Sequence, residues 1–130
     1  MPTREQIKQY LLSKGVSPNH TLGMLLNIED ESGFRPNVIG GAGEYGLFQY
    51  LGARKNNLFR FAGTKKPSWK QQIDFALTEP DTRKYLETPF QTANAAAVHF
   101  VNEWERPAEA YARKRTQKYL KWGGGDVNQN

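Results

Sequence analysis

The chain has 130 residues, 38% of them hydrophobic, which suits one domain with a modest core; no apolar run approaches the ~20 residues of a membrane span. It has no cysteine, which excludes disulfides, thiolate metal sites and cysteine nucleophiles. The net charge is +5, and residues 51–70 hold six basic side chains (Arg54, Lys55, Arg60, Lys65, Lys66 and Lys70) and no acid, a block that suits a polyanionic partner or, equally, a solvated helix face.

"TREQIKQYLLSKG" begins with a capping-box pattern, Thr3 to Gln6, and carries Ile7, Tyr10 and Leu11 at helical spacing, so it predicts a first helix. The N-terminus is polar and lacks the apolar centre of a signal peptide. "SPNHTLGMLLNIEDESG" restarts with Ser17 as cap and Pro18 at the first helical position. Its centre, "LGMLLNI", is apolar nearly all round and is expected to be buried; Gly33 and Pro36 mark its end.

Three acids, Glu29, Asp30 and Glu31, sit together at that end. Met24, Ile28 and Glu31 stand at i, i+4 and i+7, so Glu31 prolongs the apolar stripe. A carboxyl against apolar surface resists ionisation, as does one at a helix C-terminus beside like charges, and such a group suits general acid work. Asp30 lies ~100° and Glu29 ~200° round the helix from it, toward solvent or a basic partner.

The texture then changes. "NVIGGAGEYGLFQY" has four glycines between Gly40 and Gly46, and reads as a hairpin or irregular β-lobe. Glycine lets backbone approach a ligand, and Glu44, Tyr45, Phe48, Gln49 and Tyr50 offer the aromatic faces and amides that a sugar needs. The segment matches neither phosphate-loop pattern. Helical signals return in "ARKNNLFRFAG", in "SWKQQIDFALTE" with a second capping box from Ser68 to Gln71, and more weakly in "DTRKYLET". "TANAAAVHFVNEWE" is Ala-rich and buried-looking until Pro107; "AEAYARKRTQKYLKW" reads as basic and exposed on one side. The expected organisation is a single domain over residues 1–122, with 123–130 as a flexible polar tail or linker stub. Trp69 and Trp104 are expected in the core, and Glu105 as a fold anchor paired with a basic residue or a backbone amide. His20 and His99 lack any zinc-ligand spacing, so no metal or other cofactor is expected.

"ESGFRPNVIGGAGEYGLFQY" resembles the motif shared by goose-type lysozymes and soluble lytic transglycosylases. With "LGARKNNLFRFAG", "SWKQQIDFALTE" and "HFVNEWERP" following in order, the chain is more similar still to the phage tail lysozyme family. The resemblance spans residues 17–115. It implies an α+β, predominantly α-helical, lysozyme-like fold, with a small β-lobe flanking a peptidoglycan-binding cleft. It places the catalytic glutamate on Glu31, a cleft-lining glutamine on Gln49 and a substrate contact on Ser32. Goose-type lysozymes carry an aspartate near the position of Gly40 or Gly41; Glu44 is the nearest acid that could replace it as a second carboxylate.

The expected activity is a muramidase acting between N-acetylmuramic acid and N-acetylglucosamine. A lytic transglycosylase, which needs no second carboxylate and leaves a 1,6-anhydro end, stays open, as does a non-catalytic wall- or nucleic-acid-binding module. The expected partner is anionic bacterial peptidoglycan, with other virion proteins a further partner and nucleic acid disfavoured. The expected place of action is the host cell wall, reached from a phage virion tail or by a released lytic enzyme without a signal peptide.

Overall fold

A computed structural model of the protein describes residues 1–122; the polar tail expected over 123–130 lies outside them. The first helix, α1 (Arg4–Ser13), starts where the sequence places it: the Thr3 hydroxyl accepts from Gln6 N–H, and the Gln6 side chain accepts from Thr3 N–H. α2 (Pro18–Ser32) is capped by Ser17 and ends at left-handed Gly33, whose N–H donates to the Glu29 carbonyl. Its buried residues run round the helix, from Leu22 and Gly23 to Met24, Leu25, Asn27 and Ile28. That is the signature of a central helix wrapped by others.

α3 (Gly52–Ala62) and α4 (Trp69–Thr78) pack on each other, and α4 carries the second capping box, Ser68 with Gln71. Pro80 does more than end α4: it opens α5 (Pro80–Glu87) at the first helical position. α6 (Ala93–His99) lies along α2, its Ala93, Ala96 and Ala97 buried. The approach is close enough that a Cβ on Gly23 would lie 2.9 Å from the Ala96 Cβ.

α6 runs on into a π-helical turn (Phe100–Glu105), where the sequence pattern suggests one helix of a single kind. The turn stops at Arg106 in a left-handed conformation (φ 49°), and Pro107 follows. α7 (Glu109–Lys121) packs back against α6 and the π turn. The core gathers Ile7, Leu11, Met24, Ile28, Ile73 and Trp104, all within 1% of full burial. Trp104 is a core residue as expected, its indole N–H donating to Thr82 Oγ1 at 2.7 Å. Trp69 sits half-buried at the rim, edge-on to Tyr10. His20 and His99 pack around Tyr85 and Phe90. Among the described residues no helix is long and apolar enough to cross a membrane.

The expected β-lobe is not formed as strands. Among the described residues the glycine-rich segment makes only isolated bridges, Ile39 with Tyr45 and Tyr45 with Tyr50. Positive φ at Gly43, Gly46 and Gln49 bends the chain too often for a ladder to extend. The loop is held from below instead. Buried Gln72 of α4 accepts from Leu47 N–H and donates to the Pro36 and Pro67 carbonyls.

Candidate active site

The C-terminus of α2, the glycine-rich loop, the start of α3, the end of the π turn and the start of α7 enclose a cleft of about 610 Å³. Glu31, Glu44 and Glu105 all line it, with Gln49, Arg54 and Tyr111. Of the three acids of α2, Asp30 and Glu31 both line the cleft and both lie near Arg115. Glu29 is exposed. Asp30 accepts from Lys118 at 2.5 Å and from the Tyr119 hydroxyl at 2.7 Å. Glu31 Oε2 accepts from Arg115 Nη1 at 2.6 Å. Helical phase separates the three, as the sequence indicates, but the Glu31 carboxyl ends in an ion pair rather than on bare apolar surface.

Arg115 comes from α7, the helix read from sequence as basic and exposed on one side, and it is only 4% exposed. Its Nη2 also donates to Asn27 Oδ1, and its Nε to the Tyr119 hydroxyl. Burial pushes the Tyr119 hydroxyl well above its ordinary range, so it stays a donor to Asp30. Arg115 and Tyr119 stand at i and i+4; that pair was the signal in the sequence that α7 turns this face inward.

Glu105 does not anchor the fold as expected. Among the described residues it makes no ion pair, and its buried Oε1 has no hydrogen-bond partner. Burial, and then the charge of adjacent Glu31, push its carboxyl well above the ordinary carboxylate range, against the pull of Arg115 and Arg54. The basic residues of that neighbourhood are spent elsewhere. Arg54 pairs with Glu79 through two nitrogens, donates to the Trp104 carbonyl and lies 4.2 Å over the Trp104 ring.

The loop residues divide. Glu44 and Gln49 face the cleft together. Glu44 Oε1 accepts from Ala42 N–H at 2.8 Å, and Gln49 Nε2 donates to the Gly46 and Val38 carbonyls. A Cβ on Gly40 would lie 2.6 Å from Gln49 Oε1 and 2.8 Å from Glu44 Oε1, so only glycine leaves both side chains where they are. Phe48 and Tyr50 line the cleft floor but are 1% and 2% exposed, packed on Trp104; the Tyr50 hydroxyl donates to Glu79. The aromatic ring that the cleft does expose is Tyr111, at 56%.

Ser32 and Tyr45 fall outside the cleft lining. Ser32 is buried, its hydroxyl bonded back to the Ile28 carbonyl, and the Tyr45 hydroxyl donates to Asn37. Among the described residues no group of three or more His, Cys, Asp or Glu side chains could hold a metal ion. Lined by four carboxyls, those of Asp30, Glu31, Glu44 and Glu105, with an amide and one exposed ring, the cleft can hold a neutral polar chain and transfer protons to it.

Residues 2–122 match the family model described as phage tail lysozyme. No curated relative matches the chain.

Proposed function

This chain belongs to the phage tail lysozyme family, a family of peptidoglycan-lytic enzymes, and we propose that it is a muramidase whose acid is Glu31. The observation that carries the reading is the cleft itself, which Glu31 of α2 lines together with Glu44 and Gln49 of the glycine-rich loop. A glycan strand laid in it meets the exposed face of Tyr111 and the amide of Gln49.

Glu31 protonates the oxygen of the β-1,4 bond between N-acetylmuramic acid and N-acetylglucosamine as that bond breaks. An oxocarbenium-like sugar forms, and a water steered by Glu44 adds to it. Arg115 fixes the Glu31 side chain during this step, because a bonded guanidinium removes its rotamer freedom. Family membership also supports wall penetration from a virion tail as the setting.

The transglycosylase outcome is the second reading. It needs no water-steering carboxylate, and Glu44 Oε1 is already engaged by Ala42 N–H. Mass spectrometry of sugar fragments released from purified peptidoglycan separates the two, since the 1,6-anhydro product is lighter by one water. Glu31→Gln is expected to lower fragment release by about 10²-fold or more while the fold is kept. Release at the wild-type rate would remove Glu31 as the acid.

A further inference from the structure

Glu105 closes the π turn just before the chain becomes left-handed at Arg106, and the reaction as described gives it no task. Its position is nonetheless costly. A buried carboxyl oxygen without a partner disfavours charge, and a group so placed neutralises. Every element packed round it withholds a cation. Glu31 of α2 lines the same cleft and brings a like charge. Arg115 of α7 faces both carboxyls but bonds Glu31. Arg54 of α3 is committed to Glu79 and the Trp104 carbonyl. The Tyr50 hydroxyl of the loop donates its hydrogen bond to Glu79.

We infer that Glu105 is a proton-holding positioning residue for Glu31: the two carboxyls share one proton, which rests on Glu105 and makes the hydrogen bond that aims Glu31 into the cleft. The inference rests on Glu31 being the acid of the proposed reaction. When substrate displaces water from the cleft, the proton moves from Glu105 to Glu31 along that bond, leaving Glu105 as carboxylate. Glu31 then passes it to the glycosidic oxygen as the carbon–oxygen bond breaks and its electron pair stays on that oxygen. Both carboxyls are now ionised beside the positive sugar. The water that adds to the sugar releases one proton, which returns through Glu31 to Glu105. Proton and bond counts close over one hydrolysis.

Carbon-13 labelling of glutamate carboxyls, with an NMR titration of the free protein, tests the shared proton. One carboxyl is expected to titrate well above the ordinary range in the wild type. That signal is expected to vanish in Glu105→Gln and to move down in Glu31→Gln, where the like charge is gone. A Glu105 carboxyl titrating in the ordinary range overturns the inference, and that measurement does not require either variant to fold.

The pH profile of kcat/KM on purified peptidoglycan tests the positioning role. In Glu105→Gln the alkaline limb is expected to move to lower pH, because the proton that Glu105 holds is gone. A uniform loss across pH, with the limb unmoved, would mean that Glu105 is merely structural. Wild-type protein that releases no sugar fragments at all would instead sink the lysozyme reading, while the titration still reports the shared proton.

Discussion

Arg115 ties the acid end of α2 to α7, through Glu31, Asn27 and Tyr119. Arg115→Met removes the guanidinium and leaves the Glu31 carboxylate without this donor, and Asn27 Oδ1 with only the longer bond from the Tyr119 hydroxyl. Breaking a buried ion pair costs about 3–5 kcal/mol, and the low end applies here because the Glu31 side chain keeps 17% of its exposure. A urea unfolding midpoint lowered by the equivalent of about 3 kcal/mol is expected. A change under about 1 kcal/mol would mean that the pair is solvent-screened and holds nothing. Arg115→Lys is not expected to restore it, because a point charge on a flexible stem cannot reach Glu31 and Asn27 from one planar group.

At the scale of elements, the α2–α6 approach decides where the cleft is. α6 carries the π turn, and the π turn carries Glu105, so the spacing at Gly23 is passed to the carboxyl pair. Gly23→Ala puts a methyl 2.9 Å from the Ala96 Cβ and the Ala96 carbonyl carbon, and neither is a flexible side-chain end that could swing aside. Overpacking of this kind costs about 1–3 kcal/mol. A melting temperature lowered by roughly 3–10 °C is expected, together with weaker lysis. An unchanged melting temperature would show that the helices part without cost. A π turn is a local misfit in an α-helix, often found at functional sites, and here it sets the last residue of the helix toward the cleft.

Over the whole molecule, the net charge of +5 is not all available to a partner. Arg54 is consumed by Glu79, and Lys55 donates to the Gly43 carbonyl. Lys65, Lys66 and Lys70 stay exposed, as do Lys114 and Lys121 on α7. Their attraction to an anionic wall acts through solvent and is screened by salt. Retention on purified walls is expected to fall several-fold between about 0.05 M and about 0.5 M NaCl, and to be weaker in Lys65→Glu/Lys66→Glu. Cleavage of small soluble glycan fragments by that double variant is expected to be unchanged. Salt-independent retention would show that the cleft alone holds the wall.

What the sequence determined by itself was local. Thr3, Ser17 and Ser68 cap helices through hydrogen bonds three residues long, and such short loops are written in the spacing of residue types. Helical phase, set by the 3.6-residue turn, was likewise enough to send Glu29 to solvent and Asp30 to a basic partner, Lys118. The glycine-rich segment was legible as a hairpin or irregular β-lobe but not as a loop without strands, because bridges extend into strands only where successive φ values allow it. Tertiary structure alone decided the partners of Glu31. Arg115 lies 84 residues further along the chain, and Glu105 reaches the site through a π turn that no periodicity announces. Burial and ion pairing are properties of what packs together, so the surroundings of the Glu31 carboxyl were set by α7 and the π turn as well as by its neighbours in sequence.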